Sequence, residues 1–171
     1  MKKLITVLLT TSLISACGWH LRGNINLPQD LNSLHVVSQD QYSELTRDLK
    51  EVISKNNITL SDSTSADYSI ELLEERNQRR AASVGGNGLA SEYELTLEVD
   101  YTISRGDQLL LPKTTARATR SYDYDQNQVL GSNQEQQVIE RELRFELLQN
   151  ILRRLRFTSK AANATPEADA S

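Results

Sequence analysis

Tyr93-Glu94-Leu95-Thr96-Leu97-Glu98-Val99-Asp100-Tyr101-Thr102-Ile103 is the stretch that decides the fold. Every odd position is apolar or aromatic and every even one polar, a period of two that belongs to a strand with one buried face and not to a helix. Its polar set is acidic. Gly106-Asp107 then turns the chain, and a second long strand is expected over residues 109–124, with Pro112 placing its start at an edge or bulge. The two form an antiparallel hairpin. Lys113, Arg117 and Arg120 on the second strand can pair with the acids of the first and help set register, at roughly a few tenths of a kcal/mol per pair.

Upstream of the hairpin, Gly85-Gly86-Asn87-Gly88 is a turn signal, because these residues tolerate positive φ. It is preceded by a strand at 68–73 that continues unevenly toward Val84, and by a short strand at 58–60. Residues 40–55 carry Tyr42, Leu45, Leu49, Val52 and Ile53 at spacings of three and four, one apolar helix face. Ser38 or Asp40 is the expected cap, and Asn56-Asn57 the left-handed stop. Residues 34–37 form a first strand. Downstream, residues 133–157 form the longest helix: Ser132 with Glu135 matches a capping box, and Val138, Ile139, Leu143, Leu147, Leu148, Ile151, Leu152 and Leu155 make a broad apolar stripe. Arg153, Arg154 and Arg156 near its end suit the helix dipole. This order predicts an α+β fold, two helices packed on one face of a mostly antiparallel, mixed four-stranded sheet. The opposite sheet face is too polar to be a second core and is left for solvent or a partner.

The amino terminus has a different character. Lys2 and Lys3 precede a short apolar run, and Ile14-Ser15-Ala16 leads into Cys17, the only cysteine. The run is too short to span a bilayer, which needs about 20 residues, and its order is that of a secretory signal. Ile14-Ser15-Ala16-Cys17 resembles the lipobox of bacterial lipoproteins. That resemblance implies a diacylglyceryl group on the Cys17 thiol, cleavage of residues 1–16, and an N-acyl chain on the new terminus; two or more chains hold a protein stably where one does so only marginally. Gly18, in place of an aspartate, implies the outer membrane. The alternatives are an ordinary cleavable signal followed by a free thiol, or a packed cysteine. The expected organisation is a signal peptide at 1–16, an extended lipid-anchored leader at 17–33, one domain at 34–157 and a disordered tail at 158–171.

The formal net charge of −4 becomes two units more acidic once Lys2 and Lys3 are removed. That argues against nucleic acid, whose phosphates require a clustered basic face. His20 and His35, the only histidines, lack metal-ligand spacing, and no nucleophile motif, phosphate loop or catalytic carboxylate pair is recognisable. The reading is therefore not an enzyme, with no metal and no cofactor beyond the acyl groups on Cys17. Arg76, Arg79 and Arg80, together with Lys113, Arg117 and Arg120, stand out as arginine-rich groups that can bind phosphates bidentately if neighbouring strands bring them together. Pairing with nearby carboxylates is the alternative.

Cys17-Gly18-Trp19-His20-Leu21-Arg22-Gly23 resembles the start of the mature lipopolysaccharide-assembly lipoproteins of the LptE (RlpB) family. The likeness extends through residues 92–103, Arg120-Ser121-Tyr122 with Val129-Leu130, and the closing Ile151-Leu152-Arg153-Arg154-Leu155. It implies two helices against a mostly antiparallel sheet. It also implies an outer-membrane lipoprotein that plugs the β-barrel protein LptD from the periplasmic side, assists that barrel's assembly and contacts lipopolysaccharide during its insertion into the outer leaflet. In that family the loop matching residues 85–90 carries bulky or basic contact side chains, whereas this chain has Gly85-Gly86-Asn87-Gly88. The resemblance therefore leaves Arg79, Arg80, Arg117 and Arg120 as the candidates for lipopolysaccharide phosphates. The competing function is a free-standing lipoprotein that binds an anionic envelope ligand without the barrel.

Overall fold

A computed structural model of the chain describes residues 31–125 and 129–164. Cys17, the signal at 1–16, most of the leader and residues 165–171 lie outside the described residues. In chain order the elements are β1 (Ser33–Ser38), α1 (Glu44–Lys55), β2 (Thr59–Leu60), β3 (Tyr68–Val84), β4 (Ala90–Arg105), β5 (Gln108–Asp123) and α2 (Val129–Ala164). The strands form one mixed sheet in the order β2-β1-β3-β4-β5. It has five strands where a four-stranded sheet was expected; the two-residue β2 falls within the short strand anticipated at 58–60 and joins the sheet as its fifth member. β1 runs parallel to both β2 and β3, while β3, β4 and β5 make an antiparallel meander.

One apolar core lies between this sheet and the two helices. Leu45, Leu49 and Ile53 of α1 and Leu143, Leu147, Leu148, Ile151, Leu152 and Leu155 of α2 pack with Leu34, Ile70, Leu72, Leu95, Val99 and Ile103. All are buried. The predicted helix faces are thus correct except at two positions. Tyr42 is 94% exposed and precedes α1, and Val138 points away from the core at 44% exposure.

The start of α1 is later than its periodicity suggested. Ser43 is the N-cap, its hydroxyl accepting from the Thr46 N–H at 3.0 Å. Ser38 and Asp40, the expected caps, instead shape the preceding turn, where the Ser38 hydroxyl donates to the Asp40 carbonyl at 2.9 Å and Asp40 Oδ1 accepts from the Tyr42 N–H at 3.0 Å. We expect Ser43→Ala to cost about 1 kcal/mol in urea unfolding. A loss no larger than that of Tyr42→Ala would show that the cap is not stabilising. The left-handed stop falls at Asn57, with φ of 59°.

The second helix exceeds its predicted limits at both ends. It begins at Val129, so Ser132 is not a cap but a buried residue of the first turn, its hydroxyl accepting from the Asp125 N–H at 3.3 Å. It continues to Ala164, and residues 158–164, expected as tail, are helical. Ser159 is buried and donates to the Arg156 carbonyl at 3.0 Å, and Arg105 at the end of β4 donates to Asn163 Oδ1 at 2.9 Å. Ala161 and Ala162 are strong helix formers. The dipole reading of Arg153, Arg154 and Arg156 fails accordingly, since they sit well inside the helix and the effect fades within the last turn.

The uneven continuation of β3 is a β-bulge. Leu72 pairs with Tyr101 but Glu75 pairs with Val99, so one extra residue is inserted. Because side chains alternate, that residue reverses which parity faces the helices. Before the bulge the even residues Ile70 and Leu72 face the core. After it the odd residues Glu75, Asn77 and Arg79 share the helix side with Val99, Leu97 and Leu95, and Arg76, Gln78 and Arg80 turn to the open face.

Candidate functional site

The open face of the meander is a layer of paired charges. Arg76 and Arg80 come from β3, Glu94, Glu98 and Asp100 from β4, and Lys113, Thr115 and Arg117 from β5. At its centre Asp100, with only 6% of its side chain exposed, accepts from Arg76 Nη2 at 3.0 Å, Arg76 Nη1 at 3.1 Å, Thr115 Oγ1 at 2.6 Å and Lys113 Nζ at 2.9 Å. The Arg76 guanidinium first, then Thr115 and Lys113, hold its carboxyl well below the usual carboxylate range against the opposing effect of burial. Asp100 and Glu98 in turn push Arg76 up. Glu98 accepts from Arg76 at 3.2 Å and lies 3.5 Å from Arg117, and Arg80 donates to Glu94 at 2.7 Å, which lowers the Glu94 carboxyl. Thr96 and Thr119 join hydroxyls at 3.1 Å. The expected cross-strand pairing is present for Lys113 and Arg117 but not for Arg120, and it occupies the cations of this face. A carboxylate held this firmly ionised is no proton donor.

The four arginines proposed for phosphate binding do not form one site. β4 separates β3 from β5, so the two groups are about 10 Å apart rather than on adjacent strands. They also split between faces. Arg80 and Arg117 lie on the open face in the pairs just described. Arg120 pairs in register with Leu95 on the helix side, where it meets Glu142 at 2.7 Å and Glu146 at 3.7 Å on α2. Arg79, opposite Leu95 from β3, is the exception. Its guanidinium lies 3.6 Å from the Tyr93 ring centroid, with Tyr124 at 5.6 Å and Tyr122 at 5.9 Å, and among the described residues no carboxylate lies within ion-pair distance of it. The rings pack on each other, Tyr93 to Tyr124 edge-on at 5.1 Å. Tyr122 donates to Gln136 Oε1 at 2.9 Å, and burial pushes its hydroxyl up, with Arg79 opposing. Such an arginine is oriented by the ring faces and, beyond its hydrogen bond to the Tyr122 hydroxyl, keeps further N–H donors available.

This aromatic seat was not foreseen from the residues. The signal was available in the alternation: Tyr93 and Tyr122 are register partners, and Arg117 and Arg120 have opposite parity. Beyond the seat, the β3–β4 hairpin ends in an uncharged tip spanning residues 81–91. Gly85 and Leu89 close it through Gly85 N–H to Leu89 carbonyl at 2.8 Å, Gly88 adopts φ of 77°, and Val84 and Leu89 are exposed. His35 is structural, its Nδ1 lying 2.8 Å from the Ser61 carbonyl; His20 falls outside the described residues. No helix among the described residues is long and apolar enough to cross a membrane.

Comparison with known proteins agrees with this architecture. The LPS-assembly lipoprotein LptE of Photorhabdus laumondii is 29% identical over 156 residues, covering 90% of this chain and 85% of that one. The crystal structure of rare lipoprotein B from Shewanella oneidensis superposes with a TM-score of 0.69 at 25% identity, over 77% of this chain and 99% of that one. A minor lipoprotein from Acinetobacter baumannii gives a TM-score of 0.60 at 28% identity, over 84% of this chain and all of that one. Residues 31–155 match the model of the family described as LptE, lipopolysaccharide-assembly. With the sheet order, the two helices and this match in agreement, the chain belongs to the LptE family of lipopolysaccharide-assembly lipoproteins.

Proposed function

We propose that this chain is the lipid-anchored outer-membrane partner of the LptD β-barrel. It would plug the lumen from the periplasmic side, assist the barrel's assembly and take part in inserting lipopolysaccharide into the outer leaflet. The observation that carries this reading is the open face of β3, β4 and β5. Its cations and carboxylates are already matched to one another, so the surface is rich in hydrogen-bonding edges without a strong field of one sign. Such a face meets the polar wall of a barrel interior at low desolvation cost, since exposed neutralised pairs give up little on contact. The acyl groups on Cys17 would hold the domain at the membrane, with the following residues as tether. Of the four arginine candidates, Arg79 is the one suited to a lipopolysaccharide phosphate, because Arg80, Arg117 and Arg120 are committed to carboxylates.

The test is copurification together with site-specific photocrosslinking. A crosslinker at Gln78 or Thr119 on the open face, or at Gly86 in the hairpin tip, is expected to trap one large β-barrel protein, and the product should vanish when that barrel is depleted. Crosslinks only to abundant periplasmic proteins would overturn the plug. Saturable binding of lipopolysaccharide in the barrel's absence, with no barrel product, would favour the free-standing alternative.

A further inference from the structure

A cleft of about 390 Å³ lies along the outer edge of β5, between that edge and the C-terminal half of α2. Arg117 and Thr114 line it from the strand, and Asn150, Arg153, Arg154 and Phe157 from the helix; no carboxylate lines it. Arg117 reaches Glu98 at 3.5 Å, on the other side of the strand, while Arg153 and Arg154 have no ion pair among the described residues. The helix end cannot account for them, because α2 continues to Ala164. Arg153 and Arg154, the latter hydrogen-bonded to the Tyr101 hydroxyl, line one hollow without a carboxylate, and two such guanidinium groups repel one another unless an anion lies between them. β5 is also the last strand of the sheet, so alternate N–H groups along this edge have no ladder partner and add donors to the same side. The larger groove between α1 and α2 is unlike this one. Glu44, Asp48, Glu51 and Glu140 line it alongside its arginines, and Arg144 there is clamped by Glu44 at 2.7 Å and Asp48 at 3.0 Å.

Beside these two cations stands Phe157, 63% exposed at the cleft margin. A bare phosphate would gain nothing from it. A phosphate ester carrying hydrocarbon would gain both contacts, the guanidinium forks taking the oxygens and the ring taking the apolar portion. We propose that this cleft binds the phosphate group of an anionic lipid, with Arg153 and Arg154 as the donors and Phe157 against the lipid's apolar part. The site is separate from the Arg79 seat and does not depend on a barrel partner.

Titration calorimetry on the full chain in dodecyl maltoside, at low salt, tests it with two probes: inorganic phosphate and dihexanoylphosphatidic acid. The lipid is expected to bind more tightly than the free ion. R153Q combined with R154Q should weaken both probes by more than about tenfold, Phe157→Ala should weaken the lipid alone, by about fivefold, and R156Q, an equal charge change outside the cleft on the same helix, should weaken neither. Absence of saturable binding, or an R156Q effect as large as that of R153Q, would overturn the site. Phosphate binding with no lipid advantage and no effect of Phe157→Ala would overturn the lipid assignment.

Discussion

Exporting this chain behind an ordinary cleavable signal with Cys17 replaced by alanine is expected to move it from the membrane fraction to the soluble periplasmic extract, its domain still folded. Each acyl chain contributes ~0.8 kcal/mol per buried CH₂, a single chain holds a protein only marginally and a second makes attachment stable. Against that, the domain itself offers the bilayer little, since most of its large apolar side chains are gathered in one core and no described helix can cross a membrane. Losing the thioether should therefore change the partition almost completely. The core lies between the sheet and helices beyond residue 31, so circular dichroism and the urea midpoint should be unchanged. The measurement belongs in cells depleted of the barrel, where pairing cannot retain the protein. Tight membrane retention of the processed, unlipidated chain there would refute the anchor.

The second large effect concerns the open face. Asp100→Asn should destabilise the fold by about 3 kcal/mol at neutral pH, the lower end of what breaking a buried charge pair costs. Asn is nearly isosteric, but each Asp100 oxygen now accepts from two groups: Oδ1 from Arg76 and Thr115, Oδ2 from Arg76 and Lys113. Whichever way the amide is turned, its NH₂ meets donors. The pH dependence follows from the lowered carboxyl of Asp100. A carboxyl whose folded value lies below its unfolded value, near 3.9, contributes stability that is fully present above the unfolded value and is lost as pH falls through the folded one. The gap between wild-type and Asp100→Asn urea midpoints should therefore be widest near pH 7 and narrow as pH is taken from about 5 toward 2. A gap that stayed constant over that range, or was absent at pH 7, would show that the carboxylate charge does not organise the face.

Local pattern was enough for the central elements. The alternation over residues 93–103 is β4, and the three-and-four spacing of Leu45, Leu49 and Ile53 is the buried side of α1, because burying one face demands those periods whatever lies opposite. Boundaries were less legible. Ser132 with Glu135 has the form of a capping box, yet tertiary packing buries Ser132 inside α2. The helical residues 158–164 are met by contacts from outside the helix, Arg105 reaching Asn163 from the end of β4, which no local pattern announces.

The sequence by itself determined the composition of the meander, the two apolar helix faces and the acidic-against-basic pairing across β4 and β5, all of which arise between near neighbours or regular repeats. Only the tertiary structure decided which arginines share a face. One extra residue in β3 between Leu72 and Glu75 reverses the parity of everything after it, and local propensity does not register such an insertion. That reversal sends Arg76 and Arg80 to the neutralised open face and Arg79 to the tyrosines. In the same way the length of α2 sets Arg153 and Arg154 beside the edge of β5, since a side chain's partners depend on what long-range packing brings within reach, not on the residues adjacent to it in the chain.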